Sequence, residues 1–161
     1  ALDFCYPMLA HGQRKLVRRK ERRVYPVTAD GKHLPLPDNS VDSVTIAFGI
    51  RNIIPRPEAL REMYRVLAPG GRVCILEFGS GRDRIWGGLY NFYLNRVLPG
   101  IGRIVSRDQA AYSYLARTIR EFPSAFELAR EMEEAGFVRV RYEKLTSGIV
   151  CLHMGEKRQY D

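Results

Sequence analysis

Apolar residues along this chain fall into short runs separated by turn chemistry. Leu2-Asp3-Phe4 reads as the end of a strand. Pro7 to about Arg22 reads as a helix, with Met8, Leu9, Leu16 and Val17 available for its inner face. Val24 to Ala29 is short and β-branched, which predicts a strand. Gly31, Pro35, Pro37, Asp38 and Asn39 mark residues 31–40 as a loop. Val41 to Phe48 is nearly continuous in apolar residues, the pattern of a buried parallel strand. Leu60, Met63, Tyr64 and Leu67 recur at i, i+3, i+4 and i+7, so a helix runs from Pro57 to Leu67. Pro57 suits its first turn, and Pro69-Gly70-Gly71 stops it. Val73 to Phe78 is another buried strand.

Residues 82–121 break the alternation. Trp86, Tyr90, Phe92, Tyr93, Tyr112 and Tyr114 lie at helical spacing, interrupted by Pro99-Gly100-Ile101-Gly102. This predicts an inserted helical cap within one domain. Ser124 and Glu127 form a capping box, so a helix starts there, and it ends near Ala135-Gly136. Val138, Val140 and Tyr142 alternate with Arg139, Arg141 and Glu143, a half-buried strand; Ile149 to Leu152 supplies the last one. The order β-α-β-β-α-β, cap, α-β-β predicts an α/β fold with a mostly parallel sheet. The short link Lys144 to Gly148 makes an antiparallel final pair plausible.

The 161 residues fit one domain, and 45% hydrophobic content suffices for a core. No apolar stretch is long enough to span a membrane, and no leader is visible, so a cytoplasmic protein is expected. Cys5, Cys74 and Cys151 are too far apart to suggest a disulfide framework or a zinc site. The net charge of +8 has a local source: residues 14–23 hold seven Lys and Arg side chains. Such a run is either a solvated helix face or a patch for an anionic partner.

In open α/β sheets ligands bind at the carboxyl ends of strands. That rule selects Asp3, Asp30, the segment Gly49-Ile50-Arg51-Asn52 and Glu77-Phe78-Gly79. A carboxylate at Asp3 can accept from ribose hydroxyls, and one at Asp30 from an adenine amino group. Either also fits a helix cap or a loop. Arg51 suits an anionic or phenolic ligand, or an ion pair with a nearby carboxylate. Gly79-Ser80-Gly81 is weak as a phosphate loop. His11, His33 and His153 are isolated, so no metal site is expected.

Leu34-Pro35-Leu36-Pro37-Asp38-Asn39-Ser40-Val41-Asp42, followed by Phe48-Gly49-Ile50-Arg51-Asn52, resembles a signature of the UbiE-type ubiquinone/menaquinone methyltransferases. Tyr64 to Arg72 with Leu76-Glu77-Phe78, Val97 to Gly102, Tyr112 to Leu115 and Thr146 to Gly155 are similar to further segments of that family. Ala68 and Gly79 depart from its usual lysine and serine. The resemblance implies a Rossmann-like class I fold that uses S-adenosylmethionine (SAM). It also implies that the family's first strand, glycine-rich SAM loop and N-terminal helices are missing from this chain. A truncated chain, inactive by itself, is therefore expected, with a homodimer as one way to fill the gap.

By the same resemblance, the reaction is C-methylation of a demethylated quinol ring, a demethylmenaquinol or a methoxy-polyprenyl-benzoquinol. Asp3, Phe4, Asp30, Gly31 and Phe48 would bind the cofactor, and Arg51 and Asn52 would be catalytic. Tyr90, Tyr93, Tyr112 and Tyr114 would either shield the quinol or pack within the cap. A prenylated substrate implies contact with a membrane surface, which gives the basic run an anionic-lipid partner. Methylation of another small molecule and a non-catalytic binding module are the competing readings. A nucleic-acid partner is not expected, since charge alone would support it.

Overall fold

The computed structural model describes residues 1–79 and 109–159. The elements are β1 (Leu2–Asp3), α1 (Tyr6–Arg18), β2 (Val27–Thr28), β3 (Val41–Ala47), α2 (Arg56–Val66), β4 (Leu67–Phe78), α3 (Gln109–Glu121), α4 (Ala125–Glu134), β5 (Val138–Leu145) and β6 (Val150–Glu156). They form two sheets. β1 and β2 pair in parallel, and a four-stranded sheet has the order β3-β4-β6-β5. β3 and β4 are parallel, whereas β6 is antiparallel to both neighbours. The antiparallel final pair therefore holds, joined by a 3-10 turn over Thr146–Gly148.

α1 is shorter than its apolar spacing predicts. It stops at Arg18 because Lys20 takes a left-handed φ of 55° and the N–H groups of Lys20 and Glu21 donate to Val17 O and Leu16 O. That is a Schellman closure with lysine in the place glycine usually holds. The expected inner face is realised only in part: Leu9 and Leu16 are half-buried. Met8 and Val17 are 64% and 73% exposed, and α1 buries no residue. β2 spans two residues rather than six. β3 alternates between exposed and half-buried positions, instead of being buried on both faces, because β4 is its sole pairing neighbour among the described residues. β4 begins at Leu67, so Pro69-Gly70-Gly71 lies inside the strand, with a register shift between Val41 and Ser43 opposite it. Of the expected cap, residues 82–108 lie outside the described residues; residues 109–121 form α3.

The core sits between the larger sheet and two helices. Leu60 and Met63 of α2, Leu128 and Met132 of α4, and Val73 and Ile75 of β4 are buried together with Ile50, Phe122 and Phe137. The Arg56–Glu131 pair, at 2.6 and 2.7 Å, ties α2 to α4. The capping box is formed: Ser124 Oγ accepts from Glu127 N at 3.3 Å and Glu127 Oε2 from Ser124 N at 2.7 Å. Two basic side chains pin the loop over 31–40. Arg65 bridges Glu62, Asp38 and Leu34 O, and Lys157 Nζ donates to Asn39 Oδ1 at 2.7 Å. The Arg65 guanidinium holds the Glu62 carboxyl below the ordinary carboxylate range.

His153 of β6 is 1% exposed. Its Nε2 lies 2.9 Å from Ala125 O, an acceptor only, so Nε2 carries the proton; Nδ1 is buried without a partner among the described residues. Burial pushes the imidazole pKa down, opposed by the Ala125 bond. The native state therefore keeps His153 neutral where the unfolded chain takes a proton. That stability is present above about pH 6.5 and is lost as pH falls below it, toward the depressed native value. Urea midpoints should drop between neutral and mildly acidic pH, and His153→Gln should flatten that slope. An equal slope in the variant would remove His153 as the cause.

Candidate functional site

The strand tips gather the residues singled out in the sequence into two adjoining groups. In the small sheet, Asp3 ends β1 and Asp30 follows β2. The two tips are linked by Ala29 N donating to Asp3 O at 3.1 Å. Both carboxylates also serve their own turns: Asp3 Oδ1 accepts from Cys5 N at 2.8 Å and Asp30 Oδ1 from Lys32 N at 2.9 Å. Lys32 Nζ stands 3.8 Å from Asp30 Oδ2. The loop role open to each acid is thus realised, but Asp3 remains exposed, and among the described residues its Oδ2 takes no hydrogen bond. Phe4 beside it is 79% exposed.

In the larger sheet, β3 ends at Ala47 and the chain turns sharply. Phe48 adopts a φ of 55°, in the left-handed region that costs a bulky side chain energy. The turn leads into a 3-10 helix over Ile50–Asn52. Ile50 is fully buried in the core and anchors this turn, which throws Arg51 and Asn52 to the tip.

Arg51 finds its partner at the neighbouring strand tip, in Glu77. Its Nη1 donates to Glu77 Oε1 at 2.7 Å and also to Phe48 O. Its backbone N–H reaches Glu77 Oε2 at 3.4 Å. The guanidinium lies over the Phe78 ring, 5.4 Å from the centroid, and Phe48 packs on Phe78 at 4.7 Å. The ion pair anticipated as one role for Arg51 therefore exists, yet among the described residues the buried Arg51 Nε has no hydrogen-bond partner. The available signal for Glu77 was a charged residue at a core position of an otherwise apolar strand.

The two groups meet where the loop after β2 touches the segment after Asn52. A Cβ on Gly31 would lie 2.6 Å from Ile53 Cδ1, so a larger residue there would displace the end of the Ile53 side chain, and Lys32 Nζ donates to Ile54 O at 3.2 Å. α3 crosses the same end of the sheet. Tyr114 donates its hydroxyl to Asn52 Oδ1 at 3.0 Å, while Leu115, Ala116 and Ile119 pack with Phe78. Tyr114 thus contacts the strand-tip segment rather than packing only within the cap. Tyr90 and Tyr93 lie outside the described residues; Tyr112 falls in α3. A shallow groove of about 410 Å³ lies on α1, lined by Ala10, Gln13, Arg14 and Val17.

A model of the ubiE/COQ5 methyltransferase family matches residues 1–157. The chain is 44% identical over 159 residues to the demethylmenaquinone methyltransferase of Mycobacterium marinum, covering 99% of this chain and 66% of that protein. It is 46% identical over 131 residues to the ubiquinone/menaquinone biosynthesis C-methyltransferase UbiE of Pseudoalteromonas translucida, covering 81% of this chain and 52% of that one. The chain thus spans between about half and two thirds of the length of these relatives. Among solved structures, a SAM-dependent methyltransferase from Aquifex aeolicus superposes with a TM-score of 0.66 at 21% identity, covering 97% of this chain and 66% of that one. The [4+2]-cyclase SpnF superposes at 0.72 and 16% identity, covering 99% and 65%. Likeness at that identity shows the fold, the class I arrangement expected from the sequence, and not the chemistry.

Proposed function

Because this chain belongs to the ubiE/COQ5 methyltransferase family, we propose that the protein containing it transfers a methyl group from SAM to a ring carbon of a prenylated quinol. The observation that carries this reading is the cluster at the β3 and β4 tips, where Arg51, Asn52, Glu77 and Tyr114 converge on one end of a methyltransferase-type sheet.

The residues present fit the cofactor. Asp3 offers a carboxylate oxygen free of bonds within the described residues, at an exposed strand end next to Asp30. Asp3 would hold the ribose hydroxyls, and Asp30 with Gly31 would border the adenine. The exposed rings of Phe4 and Phe48, at 79% and 38%, offer apolar surface beside them. When bound, SAM supplies an electrophilic methyl carbon whose sulfur keeps the bonding electron pair. Arg51 would stabilise the phenolate form of the quinol, which makes the ring carbon nucleophilic, and the displaced ring proton would leave to water. A guanidinium is too weak a base to take that proton itself. Tyr114 would hold the Asn52 amide by its oxygen, so that the amide NH2 can donate to the ring oxygen. Residues 82–121 would cover the ring, and Tyr90, Tyr93 and Tyr112 are proposed to line that cover.

Membrane contact belongs to the same proposal. Arg14, Lys15 and Arg18 on α1 are exposed beside exposed Val17, and cations next to apolar side chains suit an anionic lipid surface. Among the described residues no helix is long and apolar enough to cross a membrane.

The test is methyl transfer by the full-length protein from labelled SAM to demethylmenaquinol and to the benzoquinol analogue. Label in a quinone product supports the proposal. Label in neither, with transfer to an unrelated acceptor, replaces it. Asp3→Ala should weaken SAM binding in calorimetry by about tenfold, the effect of losing a charge-assisted hydrogen bond. Unchanged affinity would remove Asp3 from the cofactor site.

A further inference from the structure

We propose that Glu77 is a positioning residue for methyl transfer: it fixes the Arg51 guanidinium at the strand tip and cancels its charge, so that a cationic methyl donor is tolerated there. This rests on the methyltransferase reading above and assigns a residue that reading did not need.

Glu77 stands where an apolar side chain belongs. Residues on one face of a strand recur every second position. Val73 and Ile75 are fully buried in the core, and Glu77 continues their face at 1% exposure. Burying a carboxylate there is unfavourable unless it is paired and hydrogen-bonded. The pairing is complete on the protein side. Oε1 accepts from Arg51 Nη1 at 2.7 Å and from Phe78 N at 2.9 Å, and Oε2 faces Arg51 N at 3.4 Å. The carboxylate thus clamps both the side chain and the backbone of Arg51, whose own side chain is 11% exposed. With Nη1 shared between Glu77 and Phe48 O, the plane of the guanidinium is fixed, and its buried Nε–H has no acceptor among the described residues. Packing alone would not select such an arrangement.

Electrostatics gives the second half of the argument. An isolated guanidinium would stabilise a phenolate but repel a sulfonium brought to the same pocket. The Arg51–Glu77 pair is neutral as a unit. It therefore keeps an oriented N–H donor for the acceptor oxygen without a net charge that opposes the donor. Glu77 itself is too enclosed to touch either substrate.

The charge argument predicts a readout that a purely structural role does not move: the preference between SAM, a cation at sulfur, and S-adenosylhomocysteine, its neutral thioether. Glu77→Gln keeps the shape and most of the hydrogen bonds but leaves Arg51 uncancelled. Calorimetry on the full-length variant should show SAM affinity lowered about tenfold, with S-adenosylhomocysteine changed less than about twofold, the signature of one added charge at short range. Arg51→Met leaves the carboxylate alone and should tilt the preference the other way, toward SAM. Should Glu77→Gln fail to fold, the double variant R51M/E77M, neutral and apolar, should return the preference to the wild-type value while turnover is lost. Equal changes for both nucleosides in Glu77→Gln, or a preference that stays displaced in the double variant, would overturn the inference. Wild-type protein that binds neither nucleoside would instead overturn the methyltransferase reading, and this inference with it.

Discussion

Arg51→Ala in the full-length protein is expected to lower turnover about 10²- to 10³-fold, the range for removing one donor aimed at a developing oxyanion. SAM affinity should not fall in step, because Arg51 faces the acceptor and the Glu77 carboxylate left behind favours the cationic nucleoside. A second effect accompanies the first. The variant leaves Glu77 buried without its cation, and breaking a buried pair from one side costs about 3–5 kcal/mol of stability. Turnover must therefore be compared below the lowered melting temperature. Equal turnover at that temperature would remove Arg51 from the mechanism, whatever the loss in stability.

The second large effect belongs to the core. Leu60 is fully buried between β4 and α4, in the cluster that also holds Ile50. Leu60→Ala should destabilise the protein by about 2–5 kcal/mol through lost transfer energy and the cavity left behind. Ile50 directly precedes Arg51, so a looser core should also degrade the strand-tip geometry. Denaturant unfolding checks the first effect, and the turnover of folded variant the second. A loss well under 1 kcal/mol would mean that the site collapses around the deletion.

Local signals in the sequence are strong where a single element decides its own boundary. The capping box at Ser124 and Glu127 set the start of α4 correctly, because both bonds are made within four residues. The apolar spacing of Leu60 and Met63 located α2 for the same reason. The inner face expected for α1 is not legible in that way. Met8, Leu9, Leu16 and Val17 all belong to the apolar stripe, but how deeply a stripe is buried depends on what packs against it, and α1 meets mainly the two short strands β1 and β2, which half-bury Leu9 and Leu16 and leave Met8 and Val17 exposed. β3 carries a related lesson: a continuous apolar run promises burial on both faces, while an edge position leaves alternate residues exposed.

The candidate site divides along the same line. Arg51 and Asn52 were legible because a charged residue directly after a buried strand is out of place for packing. Their pairings were not, since Glu77 and Tyr114, each singled out separately, lie 26 and 62 residues away, and no local pattern joins them. The L-P-L-P-D-N run, legible as a family marker, proves to be anchored to α2 and Lys157 through Arg65, Asp38 and Asn39.

The account depends on Asp3 and Arg51 serving one bound nucleoside and one acceptor at the carboxyl end of the strands. A structure of the full-length protein with S-adenosylhomocysteine and a quinol analogue tests that directly. The account predicts the ribose within about 3.2 Å of the Asp3 carboxylate and the ring oxygen within the same reach of the Arg51 guanidinium. A nucleoside seated elsewhere, with Asp3 and Arg51 turned to separate faces of the protein, would contradict it.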